Sequence, residues 1–255
     1  MDQFLEYLKS VLKERLFISG EYCDILIWGN RAKGNTEIIG LSLNTRIKNI
    51  NIPEYKVANS VAKVIASRLN VPFLSIVYPD NDIVNTSSVL VINNKKIVAS
   101  QACNFIQSIL GTNEIEIGTS KAINKSISDP FHNWARINLP KNYVRLDIDA
   151  LYLDSSLEIP LVCIEVKRSA AKKISEWKPY TNDIANYYLE LLLCDLAIIE
   201  FITVHHANIT TKVTSNTSIG FHRILKVDLS RTLITDQFIS TTVDKLIEYL
   251  KRKYQ

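Results

Sequence analysis

Within the 255-residue chain, Asp149, Glu165 and Lys167 have the types and spacing of a reactive cluster. Asp149 lies in the strand-like run Tyr143 to Leu153, and Glu165 and Lys167 close the run Leu161 to Lys167. Side chains alternate faces along a strand, so Arg145, Asp147, Asp149, Leu151 and Leu153 share one face of the first run. Leu161, Cys163, Glu165 and Lys167 share one face of the second. A hairpin centred near Leu157 sets Asp149 opposite Glu165 and Asp147 opposite Lys167. Carboxylates crowded on an apolar face repel one another and resist desolvation unless they share a cation, and a divalent ion with oxygen ligands meets that need. Lys167 beside them offsets part of the charge and could orient or deprotonate a water. The competing reading is an ordinary set of cross-strand charge pairs on a half-exposed sheet.

The neighbouring elements follow from hydrophobic period and turn chemistry. Phe4, Leu5, Leu8, Val11, Leu12 and Leu16 recur at helical spacing behind Asp2, a capping residue. Strand-like runs Cys23 to Trp28 and Glu37 to Leu43 follow, then a helix from Pro53 through Leu69 and a strand from Phe73 to Tyr78. Short strands at Ser88 to Ile92 and Lys96 to Val98 turn at Asn93-Asn94, and a helix spans Ser100 to Leu110. The polar stretch Gly118 to Asp129 reads as a linker. Beyond it stand a helical turn from Pro130, the reactive hairpin, a helix through Ile184, Tyr187, Tyr188, Leu191 and Leu192, a buried strand Leu196 to Val204, and a last helix through Leu250.

The expected organisation is therefore an α/β chain of two domains, 1–118 and 119–255. The first would serve recognition or dimerisation, and the second would carry the chemistry. Both halves show the order helix, hairpin, helix, strand, so the first could be a degenerate copy of the second. Asp24 would then take the place of Asp149, with Gly40, Leu41 and Ser42 where Glu165 and its neighbours should be.

Asp149, then Glu165-Val166-Lys167 after a short hairpin, then a helix and a strand, resembles the PD-(D/E)XK nuclease superfamily. The resemblance covers about Asp129 to Val204. It implies a restriction-endonuclease-like core, a mixed sheet flanked by helices, that uses Mg²⁺, with Mn²⁺ able to substitute, to hydrolyse phosphodiester bonds. By the same resemblance Asp149 and Glu165 are metal ligands, the Val166 carbonyl is a further one, and Lys167 orients water and stabilises the transition state. Ile148 stands where the family has Pro. The Glu that many members take from a preceding helix has no evident counterpart; Asp147, Asp129 and His132 are accessory candidates, and Glu14 is a more distant one.

Arg168, Lys172, Lys173 and Lys178 follow the acidic residues, and a basic rim there suits a phosphate backbone. DNA is the favoured partner, on superfamily frequency, with a homodimer among the assemblies considered. A catalytically silent nucleic-acid-binding or assembly module on the same fold is the alternative. Net charge is +4, compatible with nucleic acid without arguing for it. Four cysteines, Cys23, Cys103, Cys163 and Cys194, sit apart in apolar surroundings and show no CxxC pair. With no signal-peptide pattern and no membrane-length apolar run, an intracellular (cytoplasmic) location is expected. His205-His206 could add ligands, and Trp134, Trp177 and Tyr180 could stack on bases, but packing roles are the commoner use of each. No GxxxxGK[ST], GxSxG or HExxH pattern occurs, which leaves those hydrolase classes without support.

Overall fold

A computed structural model describes residues 2–31, 36–81, 83–113, 130–169, 174–207 and 212–254. In chain order they form α1 (Gln3–Leu12), β1 (Leu16–Ile18), β2 (Cys23–Asn30), β3 (Glu37–Arg46), α2 (Pro53–Leu69), β4 (Phe73–Tyr78), β5 (Val89–Ile92), β6 (Lys95–Val98), α3 (Ala99–Leu110), α4 (Pro130–Asn138), β7 (Tyr143–Asp147), β8 (Ala150–Leu153), β9 (Pro160–Ser169), α5 (Ile184–Ala197), β10 (Glu200–Ala207), β11 (Ser218–Asp228), β12 (Leu233–Thr242) and α6 (Val243–Lys253). Among the described residues no helix is long and apolar enough to cross a membrane.

Two units result, one made of Met1–Glu21 with Ile148–Gln255 and the other of Tyr22–Asp147. In the first, Asp2 caps α1 by accepting the Phe4 N–H at 2.8 Å. The buried stripe Phe4, Leu5, Leu8 and Leu12 then packs on the sheet with Val243, Leu246, Ile247 and Leu250 of α6. That sheet has the order β1-β8-β9-β10-β11-β12, antiparallel throughout except for β9 and β10. A parallel pair needs a crossover, which α5 supplies on the opposite face.

The second unit has the order β6-β5-β4-β3-β2-β7, again antiparallel except for one pair, β3 and β4, with α2 as the crossover. Its α3 and α4 cover one face through Ile106, Leu110, Phe131 and Trp134, against Leu26, Trp28, Leu74 and Ile76.

Each unit thus has a helix and an edge strand, a hairpin, a crossover helix, a parallel strand, two further antiparallel strands and a closing helix. The leading helix and edge strand of each come from the other half of the sequence: β1 pairs with β8, and β7 pairs with β2. The boundary expected near residue 118 therefore does not separate the units. The expected single strand Tyr143 to Leu153 is two strands in two sheets, and Asp147 pairs with Leu26 rather than with Lys167. Local patterning could not show this, because a period of two fixes a strand's faces but not its partner.

The crossover helices align the units. α2 ends at Asn70 (φ 53°) and α5 at Ile198 (φ 57°), both left-handed. The next N–H of each bonds back to the last turn, Val71 to Ala66 and Ile199 to Cys194. From there Ser75 matches Thr203, and since Ser75 pairs with Leu43 and Thr203 with Glu165, Leu43 matches Glu165. Thr45 then matches Lys167, Ala62 matches Glu190, and Ile25, the partner of Leu43, matches Asp149. The duplicated order is visible, but Ile25 and Leu43 stand at the key positions rather than Asp24 and the Gly40-Leu41-Ser42 segment.

Candidate active site

The β8–β9 register brings Ala150 opposite Ile164, and its continuation brings Asp149 opposite Glu165. The turn between them closes on Asp154, which accepts backbone N–H groups from Glu158 and Ile159, with Leu157 left-handed at φ 62°. At the β8 end, Asp149 Oδ2 accepts the Val166 N–H at 2.7 Å, while its own carbonyl takes the Ser19 N–H at 2.9 Å. In an extended strand the N–H and C=O of one residue point to the same edge, so the Val166 carbonyl also faces the Asp149 side.

Glu165 and Lys167 share the α5 face of β9. Lys167 Nζ lies 2.5 Å from Glu165 Oε1 and 3.5 Å from Asp183 Oδ2, and it sits 5.4 Å from the centre of the Tyr187 ring. Burial works against the Lys167 charge, but Glu165, with smaller contributions from Tyr187 and Glu190, holds its pKa well above the usual lysine value. Lys167 is thus a fixed ammonium at neutral pH, suited to orienting a nucleophile and stabilising negative charge rather than to taking a proton.

The sequence reading missed Glu190. It is 1 % exposed on α5, and burial, followed by the charge of Glu165, raises its carboxyl well above the usual range. Its signal was a lone carboxylate in the apolar run Leu189-Glu190-Leu191-Leu192-Leu193, one helical turn from Tyr187 on the buried stripe. Among the described residues, both Glu190 oxygens, the Tyr187 hydroxyl and the Thr203 hydroxyl are buried without hydrogen-bond partners. Cys163 and Cys194 meet behind Glu165. Their hydrogen bond, then burial, pushes the Cys163 thiol far up.

The same face continues onto β10 and β11. His205 stacks on Trp177 at 4.6 Å with the rings 2° from parallel, and burial lowers its pKa to about 4. His222 meets the edge of Trp177 and holds Asp236 through Nδ1 at 2.5 Å. Trp177 is therefore packed, as is Trp134 on Phe131, whereas Tyr180 is exposed beside Trp177.

The remaining candidates disperse. Arg168 points to the opposite face of β9 from Lys167 and pairs with Asp2, 3.2 Å away, as does His206. Glu14 is exposed beyond α1. Asp147 and His132 belong to the Tyr22–Asp147 unit, where burial, with Arg136 and Arg145 nearby, lowers His132 to about 4. There Arg145, lowered to about 10 by burial and Arg136, donates to the Ala135 carbonyl at 2.6 Å. Asp129, Lys172 and Lys173 lie outside the described residues.

No group of three or more His, Cys, Asp or Glu side chains is arranged to hold a metal among the described residues. Asp149 and Glu165 alone match the donor set of Mg²⁺, which commonly takes one or two carboxylates and fills its other positions with water and phosphate oxygens. The unpartnered polar atoms of Glu190, Tyr187 and Thr203 on that face are of the kind that bonds such water. Comparison with family models, curated proteins and solved structures gives no match to this chain.

Proposed function

We propose that this chain is a metal-dependent nuclease, a phosphodiesterase of the PD-(D/E)XK type whose active site is Asp149, Glu165 and Lys167. The observation that carries the reading is the placement of Asp149 against the Val166 N–H, opposite Glu165, with the Lys167 ammonium on the same face. The order that follows it, an antiparallel hairpin, then α5, then β10 parallel to β9, is the order on which the resemblance rests. DNA is the favoured substrate on superfamily frequency, and endonucleolytic attack is the favoured mode.

Asp149 and Glu165 would hold Mg²⁺, with the Val166 carbonyl beside them. Bound there, the ion would supply Lewis-acid polarisation of a phosphoryl oxygen and a more acidic water. Lys167 donates to an oxygen that gains charge in the transition state, and burial strengthens that interaction. Glu190, its carboxyl raised by burial, adds a polar wall to the same face.

A second reading, a silent nucleic-acid-binding or assembly module, is favoured by one observation: Lys167 already pairs with Glu165, so the face is partly neutralised without a metal. Incubating the protein with supercoiled and linear DNA in Mg²⁺, Mn²⁺ or EDTA separates the two. Cleavage that needs a divalent ion and disappears in Glu165→Ala supports the nuclease; full activity in that variant would remove Glu165 from the site.

A further inference from the structure

The two sheets end differently at matching strands. In the Tyr22–Asp147 unit the edge strand β6 is short, Lys95–Val98, and carries Lys95 and Lys96. Short length and lysines are the usual protections against pairing with another chain. Its counterpart β12 spans Leu233–Thr242, a run of 10 residues with no Lys, Arg, Pro or Gly. β12 pairs with β11 alone, so its outer row of N–H and C=O groups has no strand partner among the described residues. Its one charged side chain, Asp236, is held by His222. Leu233 is 52 %, Phe238 36 % and Ile239 46 % exposed, and Phe238 and Ile239 lie on opposite faces, so apolar surface flanks the open edge on both sides.

We propose that β12 is a self-association edge, pairing antiparallel with β12 of a second copy of this chain about a two-fold axis at Phe238. The sequence suits its own reverse in that register. Phe238 meets Phe238, Asp236 meets Ser240, Thr235 meets Thr241 and Gln237 meets Ile239. Aromatic and Thr pairs are favourable cross-strand partners, and no like charges face each other. A strand of this length extends about 34 Å, long enough to form the centre of an interface needing about 800 Å² from each partner. An isologous contact of this kind closes at a dimer.

Sedimentation velocity on the full chain from about 1 to about 100 μM, a range bracketing micromolar affinity, is expected to show a monomer–dimer equilibrium. Phe238→Lys and Ile239→Lys should each raise the dissociation constant at least about tenfold, with the circular dichroism spectrum unchanged. Phe238→Cys should form a disulfide with itself under mild oxidation, its partner lying directly opposite, while Leu233→Cys should not. A monomer at the highest concentration, or a dimer unaffected by both lysine variants, overturns the proposal. Self-linking at Leu233→Cys instead of Phe238→Cys overturns the register.

Discussion

The two units share one topology, yet only one carries carboxylates and a lysine at the matching positions. Where Met1–Glu21 with Ile148–Gln255 carries Asp149, Glu165, Lys167 and Glu190, the unit Tyr22–Asp147 carries Ile25, Leu43, Thr45 and Ala62. Ile25, Leu43 and Ala62 are completely buried. A face free of carboxylates needs no cation and can close as ordinary core. The difference shows which positions the fold requires only to be buried and which the first unit holds polar at a cost in desolvation.

The largest test addresses the exchanged arms. Residues 119–255 were expected to fold as the catalytic domain, but without α1 and β1 that sheet loses Phe4, Leu5, Leu8, Leu12, Leu16 and Ile18 from its core. At about 1.5–3 kcal/mol for each side chain the loss is on the order of 10 kcal/mol, comparable with the whole stability of a domain. Fragments 1–118 and 119–255 should each fail to fold alone and should form a folded 1:1 complex when coexpressed. A cooperative thermal transition from isolated 119–255 would show that the arm is dispensable.

The next test gives the first unit the second unit's residues. Glu165→Leu should abolish divalent-dependent DNA cleavage and lower the metal-free thermal midpoint, because it leaves the largely buried Lys167 ammonium with Asp183, 3.5 Å away, in place of its closer partner. Lys167→Thr should cost about 10²–10³-fold in turnover while DNA binding persists, since Lys167 acts on developing charge. Asp149→Asn should cost more than Asp147→Asn; the opposite order would move the ligand role to the other unit.

A packing test runs in the reverse direction. Gly40 occupies the position of Val162, and a Cβ added there would overlap Leu110 of α3 and press on the Pro72 carbonyl. Gly40→Ala should destabilise by about 1–3 kcal/mol, measured by urea unfolding. Val162→Ala should cost about as much for the opposite reason, a cavity.

The smallest effect is on acid stability. Glu200, where the other unit has Pro72, accepts from Arg223, Tyr249, Lys253 and Tyr254. Burial opposes its charge, but these bonds lower its pKa from 4.5 to about 2. A depressed carboxylate contributes stability that is complete above the unfolded value and is lost as pH falls from about 4.5 to about 2. Allowing for partial exposure, Glu200→Gln should remove about 1–2 kcal/mol at neutral pH and flatten the acid limb below pH 4.5. An unchanged acid limb would mean that the cluster forms equally in the unfolded chain.

The hairpin parity, the turn at Leu157 and the helices and strands with clear periods, such as α1, α2 and β4, were legible because each is decided by neighbours within a few residues. Glu190 was not. Its helix reads as an apolar run, and only the crossover packing turns that carboxyl toward Glu165. The sequence by itself determined which side chains share a face, and hence that Asp149, Glu165 and Lys167 can meet. Tertiary structure decided that Asp147 leaves them, that β1 and β7 exchange sheets, and that β12 ends one sheet with β11 as its one strand partner among the described residues. Alternation along a strand is set by covalent geometry, whereas its partner is chosen by burial against residues more than a hundred positions away.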